Sequence, residues 1–195
     1  EPGKLLGPAK GLGVGVRMVG NSDFVWEPML RYRFFADPDE RVAVQVVGYG
    51  TYASGAEQGA SYTVGRGGAE LGVEALLTPP NRWAELRALM GASVTGIGAT
   101  GTYCVNKDTG WARDCDKDSN EQGDTNVDVT MALPAGHVGL AVDLFRDVPV
   151  LHGLRLAAMF AGGTMPEIRS APHATESIRP WWSVSFNISM GIGDW

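Results

Sequence analysis

The stretch from Ser177 to Trp195, SIRPWWSVSFNISMGIGDW, limits the possible folds more than any other part of the chain. Its even positions are Ile178, Pro180, Trp182, Val184, Phe186, Ile188, Met190 and Ile192, almost all large and apolar. Its odd positions include Ser177, Arg179, Ser183, Ser185, Asn187, Ser189 and Gly191, mostly small or polar. Strict alternation describes a β-strand with two unlike faces. The stretch is far longer than the roughly five or six residues usual in soluble domains.

The same alternation recurs upstream. Leu12, Val14, Val16 and Met18 oppose Gly11, Gly13, Gly15 and Arg17. Over 25–36, Trp26, Pro28, Leu30, Tyr32 and Phe34 oppose Glu27, Met29, Arg31, Arg33 and Phe35. A third strand covers 41–53. A fourth covers 60–77, and its pattern changes phase at Gly65-Arg66-Gly67-Gly68, which predicts a bulge there. A fifth runs over 82–103. A sixth spans 125–146, with a phase change at Pro134-Ala135-Gly136 that predicts either a slip or an extra hairpin. A seventh covers 151–165, and the stretch above is the eighth. Tight turns at 37–40, 78–81 and 147–149 alternate with longer connections at 54–60, 104–124 and 166–176. The first connection, at Asn21-Ser22-Asp23, is the short exception. Eight sequential antiparallel strands with one short end and one long end predict an up-and-down barrel over 11–195, after an extended lead-in at 1–10.

The chain has 195 residues, 27 of them glycine, and a formal net charge of −6. No basic stripe is present, which argues against a nucleic-acid partner. No apolar run approaches the roughly 20 residues of a membrane helix. Barrel strands carry half that apolar signal, so a mean hydropathy of −0.06 is compatible with a membrane barrel. The sequence starts at Glu1 without an apolar leader, which a removed signal peptide or a trimmed chain would both explain, and the expectation is an exported protein whose signal peptide has been removed. Cys104 and Cys115 then read as a disulfide closing the 104–124 loop.

Which face meets the interior is decided by the charges. Arg17, Glu27, Arg31, Arg33, Glu70, Glu74, Glu85, Arg87, Asp128, Asp143, Arg155 and Arg179 are assigned to the small or polar face, in balanced signs. A soluble barrel would put these outside and the apolar face in its core. Three features favour the reverse. The strands have the length of tilted membrane-spanning strands. Trp26, Tyr62, Trp83, Trp182 and Trp195 lie toward strand ends, as interfacial aromatics do. The turn and loop ends differ as they do in outer-membrane barrels.

On strand number, turn asymmetry and the amphipathic terminal strand ending in an aromatic residue, the chain resembles the small eight-stranded outer-membrane barrels of the OmpA/OmpX type over Gly11 to Trp195. The resemblance implies an all-β, antiparallel, up-and-down transmembrane β-barrel with short periplasmic turns and longer external loops, set in the bacterial outer membrane among lipid and lipopolysaccharide. It also implies that the terminal strand is read by the assembly machinery through a terminal aromatic, usually Phe. Here that residue is Trp195, on the odd phase of the strand.

An eight-stranded barrel is just wide enough for its own side chains to fill. The expected function is therefore an envelope structural or interaction protein with a closed, charge-paired interior, no cofactor and exposed binding loops. Trp111 is the candidate contact in the long loop. A narrow conduit for small or hydrophobic molecules is the alternative, its ion pairs exchanging partners. A lipid-A-modifying enzyme would need a Ser–His–acid set at the rim. His137, or His173 with Ser170, Thr175, Glu176 and Ser177, would supply it, whereas His152 lies at the turn end. Asp114, Asp116 and Asp118 have the spacing that opens a calcium loop. The sixth and twelfth places hold Ser119 and Thr125, not Gly and Glu, so a solvated acidic loop is the simpler expectation. Oligomeric state is left open by the sequence.

Overall fold

The computed structural model describes residues 4–5, 11–20, 24–57, 60–80, 83–105, 112–113, 125–145, 153–166 and 178–191. Eight long strands make up nearly all of this: β1 (Leu12–Gly20), β2 (Phe24–Ala36), β3 (Val42–Glu57), β4 (Ala60–Leu76), β5 (Ala84–Val105), β6 (Thr125–Leu144), β7 (Leu154–Pro166) and β8 (Ile178–Gly191). Each pairs antiparallel with its sequence neighbours. β8 returns to β1, from Val184↔Gly20 to Gly191↔Gly13, and the sheet closes. Closure leaves no free edge along the levels at which all eight strands pair. Two two-residue strands add to it: Lys4–Leu5 on the end of β2, and Ala112–Arg113 on the end of β5. No described helix is long and apolar enough to cross a membrane, and the crossing elements here are strands.

The side-chain period of two divides each strand between lumen and exterior. Odd positions of β1, β3, β5, β6, β7 and β8 point inward, as do even positions of β4. β2 points its odd positions inward as far as Arg33. There the register slips between Arg33 and Phe35, so Ala36 is the buried residue at that end, and Phe35 is not on the face the alternation assigned it. Outside the ring, Leu30, Leu71, Met90, Val138, Leu140, Phe160, Phe186 and Ile188 are exposed. This is a contiguous apolar belt of the kind that meets lipid. Trp83 lies toward its turn end, and Trp26 and Trp182 toward its loop end.

The strands are unequal. β1 has 9 residues, β5 has 22 and β6 has 20. At the turn end β5, β6 and β7 start level, at Ala84↔Leu144 and Leu144↔Leu154. The surplus is therefore at the loop end. There β2 leaves β3 at Met29↔Tyr49, and β7 leaves β6 at Ala135↔Gly163. Above those points β3 to β6 continue together as a four-stranded sheet. Its strands pair up to Glu57↔Ala60 and Tyr103↔Thr125, so only residues 58 and 59 separate β3 from β4.

This extension accounts for three departures from the sequence expectations. β4 pairs with β3 without interruption through Gly65–Gly68, and β6 pairs with β5 without interruption through Pro134–Gly136. Neither the bulge nor the slip occurs, and the 54–60 connection is the tip of a long hairpin. What changes at those glycines is the solvent, not the register. Above the belt the outer face carries Gly96, Gly98, Thr100, Asp128 and Thr130, and the inner face carries Ile97, Met131 and Leu133. Once the strands leave lipid, the polarity of the two faces exchanges.

Inward glycines set how closely neighbouring strands approach. A Cβ on Gly91 would lie 2.8 Å from His137 Nε2 and 2.8 Å from Gly72 Cα, besides meeting the Leu71 carbonyl. Backbone cannot yield there as a flexible side chain can. Gly91→Ala is expected to cost about 1–3 kcal/mol, the range for overpacking a filled core. Gly98→Ala, whose Cβ would meet nothing, should be near neutral. Urea unfolding of the two variants in lipid vesicles checks the difference.

Candidate functional site

The lumen is built in layers along the strands. At the turn end lies a charge cluster. Glu74, fully buried, accepts from Arg33 Nη2 at 2.8 Å and pairs with Arg155 Nη2 at 2.9 Å and Arg31 Nη1 at 3.9 Å. Asp143 Oδ2 accepts from Arg87 Nε at 2.9 Å, and its Oδ1 lies 3.5 Å from Arg155. Arg87 Nη2 donates to Glu85 Oε2 at 2.8 Å. Register explains the grouping. Glu85, Asp143 and Arg155 are directly opposite one another on β5, β6 and β7, and alternation puts Arg31 and Arg33 inward on β2.

The first turn caps this cluster. Asp37 Oδ1 accepts from the Val42 amide at 2.8 Å, and the Glu40 amide donates to the Asp37 carbonyl at 2.9 Å. Glu40 adopts a φ of 52°, a left-handed conformation that costs a non-glycine residue roughly 1–2 kcal/mol. Its carbonyl accepts from Arg87 Nη1 at 2.9 Å, so the lumen holds the turn in place.

Above the cluster, Met29, Val47, Leu89 and Met159 are buried together with Ala141 and Ala157. The void at this level, lined by Arg31, Glu70 and Asn187 among others, is about 10 Å³. That is room for about one water. The next layer is charged again. Arg17 hydrogen-bonds Glu70, lies 3.7 Å from Glu27 Oε2 and stacks 4.2 Å from the centre of the Tyr49 ring. Tyr49 and Thr95 share a hydroxyl hydrogen bond of 2.6 Å. Arg66 Nε lies 3.2 Å from Glu27 Oε1. His137 is buried on the inner wall beside Gly72 and Gly91, below the rim, and its Nδ1 has no hydrogen-bond partner among the described residues.

The lumen thus gathers Arg17, Glu27, Arg31, Arg33, Glu70, Glu74, Glu85, Arg87, Asp143 and Arg155. Asp128 is not among them and corrects the assignment from sequence. It is exposed, on the outward phase of β6 opposite Thr100, where the extended sheet stands clear of the belt. Arg179 lies on β8 opposite Met165, but its side chain is outside the described residues. Also outside them are Trp111, Asp114, Cys115, Asp116, Asp118, His152, Ser170, His173, Thr175, Glu176, Ser177 and Trp195, and the side chain of Tyr62. Cys104 is buried at the end of β5, where its backbone pairs with Arg113. No group of three side chains suited to hold a metal occurs among the described residues.

Two members of the lumen escaped the sequence reading. Arg66 was hidden by the expected bulge, yet it lies four and eight residues before Glu70 and Glu74 and shares their face in an unbroken strand. Tyr49 falls on the inward phase of β3, but nothing in its neighbours announces the Arg17 stack.

No protein-family model matches the sequence, and a search of characterised proteins found no match. Among solved structures, the chain is similar to Ail, the attachment invasion locus protein of Yersinia pestis. The TM-score is 0.44 and the identity 11%, with 93% of this chain and 99% of that one covered. The same protein in complex with the heparin analogue sucrose octasulfate gives 0.44 and 11%, over 92% and 97% of the two chains. Neisserial surface protein A gives 0.40 and 12%, over 92% and 94%. In strand number and ring closure the chain has the architecture of small eight-stranded outer-membrane barrels of the OmpA/OmpX type.

Proposed function

We propose that the protein serves in the bacterial outer membrane as a structural and interaction protein of the envelope, presenting its loop end to the exterior over a lumen that does not conduct. The observation that carries this is the filled interior. Between two buried ion-pair clusters, Met29, Val47, Leu89 and Met159 fill the lumen together with Gln45 and Asn187 around a void of about 10 Å³. Opening a path would part guanidinium–carboxylate pairs already out of bulk water, which is costly for each charge left bare. Lipid and lipopolysaccharide are the partners that the apolar belt and the loop end would meet. A Cys104–Cys115 disulfide would hold the 104–124 loop, with Trp111 as a contact for another envelope protein.

Planar-bilayer recording tests the closed lumen. The refolded protein should give no steady current steps across the bilayer. Sustained unitary steps that shift in size on Glu74→Gln would overturn the reading in favour of a conduit through the ion-pair cluster.

A further inference from the structure

The interior does not stay filled to the top. Above Arg17 and Glu27 the lumen widens into a cavity of about 390 Å³ at the loop end. Its wall is mainly apolar where the lumen below is charged: Val19, Val25, Ile97, Leu133 and the Trp181 ring face it, with Thr95 and Ser183 among them. These are the inward residues of the levels at which the strand faces exchange polarity. A water-filled vestibule would gain nothing from such a lining, since apolar side chains facing water forgo the burial that stabilises them. The lining suits an apolar guest.

Among the described residues one charged group lines this space. Arg66 is 21% exposed, lines the cavity, and makes its one ion pair among the described residues through Nε, to Glu27. Among the described residues its Nη atoms, the forked end of the guanidinium, have no partner. The Trp181 Nε1 lies beside Gly163, also without an acceptor among the described residues. An Arg fork in an apolar surround matches a planar carboxylate or a phosphate oxygen pair. Among the described residues the β1–β8 ladder runs up to Val184↔Gly20 and the β7–β8 ladder to Ile178↔Pro166, and residues 180–183 line the cavity.

We propose that this cavity is a binding site for an anionic amphiphile, with the acyl or other apolar body against Ile97, Leu133 and Trp181 and the anionic head on Arg66. The site is independent of any loop-borne partner and of whether the lumen conducts. The head chemistry is shared by a free carboxylate amphiphile and by an anionic membrane lipid, and the test separates these sources.

The protein is placed in nanodiscs of neutral phosphatidylcholine and titrated calorimetrically with octanoate and with octanol, with empty nanodiscs as the blank. Octanoate should bind saturably and octanol more weakly. Arg66→Gln should weaken octanoate about tenfold and leave octanol unchanged, as expected for loss of a charge-assisted contact. Ile97→Trp, which fills the cavity, should remove saturable binding of both. Both variants must keep the heat-modifiable gel migration of the folded barrel. In nanodiscs with part of the neutral lipid replaced by phosphatidylglycerol, loss of octanoate binding identifies a membrane lipid as the occupant, and undiminished binding identifies a soluble amphiphile. Octanoate binding that survives Ile97→Trp, equal affinities for octanoate and octanol, or no saturable binding in neutral nanodiscs would overturn the proposal.

Discussion

Glu74→Ala is expected to destabilise the folded barrel by about 3–5 kcal/mol, the cost of breaking a buried ion pair by removing one partner. Glu74 is the carboxylate on which Arg33, Arg155 and Arg31 converge. Without it Arg33 and Arg155 keep Asp143, at 3.9 and 3.5 Å, and Asp143 is already engaged by Arg87 at 2.9 Å. The guanidiniums cannot shed their charge as a carboxylate can, so the excess positive charge stays in the lumen. Urea unfolding in lipid vesicles reads the loss directly. Asp128→Ala is the matched control. It also deletes a carboxylate, but an exposed one on the outer face of the extended sheet, and should change stability by no more than about 0.5 kcal/mol. Equal effects of the two would show that the lumenal pairs contribute no stability.

Leu140→Arg should cost about 2–4 kcal/mol in the same assay, the penalty for an Arg on the lipid face near the bilayer midplane. Leu140 is 50% exposed and sits within the belt, flanked by Ala88 of β5 and Ala158 of β7. On a surface facing water the same substitution would be within about 0.5 kcal/mol of neutral. Thr100→Arg, outward on the extension, should behave in that neutral way. The pair therefore tests the assignment of the belt to lipid without relying on detergent behaviour. A harmless Leu140→Arg would mean that the apolar exterior does not lie in a membrane.

The ring and its polarity were legible because alternation with period two is a local property that survives any tertiary arrangement. Leu86, Ala88 and Met90 against Glu85 and Arg87 already specify which residues share a face. The pairing of those faces into clusters was not legible. Nothing in the sequence places Arg155 beside Glu74, since that contact crosses the lumen between strands that do not touch. The errors share one cause. Asp128, Arg66 and the breaks expected at Gly65–Gly68 and Pro134–Gly136 all follow from taking each strand to lie in one environment throughout. A strand that leaves lipid part-way along exchanges its faces, which in sequence looks like a register slip. The displacement of Phe35 is a true slip, and no Gly or Pro stands at Arg33–Phe35 to signal it.

The position of Glu74 also bears on how the chain can be put together. Its partners come from β2 on one side of the ring and β7 on the other. No hairpin, and no run of three adjacent strands, holds Glu74 together with both Arg33 and Arg155. A half-made sheet lying in a bilayer would turn these charges, only partly paired, toward hydrocarbon, where unpaired charge is prohibitive. Pairs on one strand or on neighbouring strands, such as Arg87–Glu85, Arg17–Glu27 and Asp143–Arg155, can form early, but Glu74 meets Arg155 only across the lumen. The Glu74 cluster is therefore complete only in the curled sheet, and its assembly coincides with the shaping of the ring rather than with the making of any one hairpin.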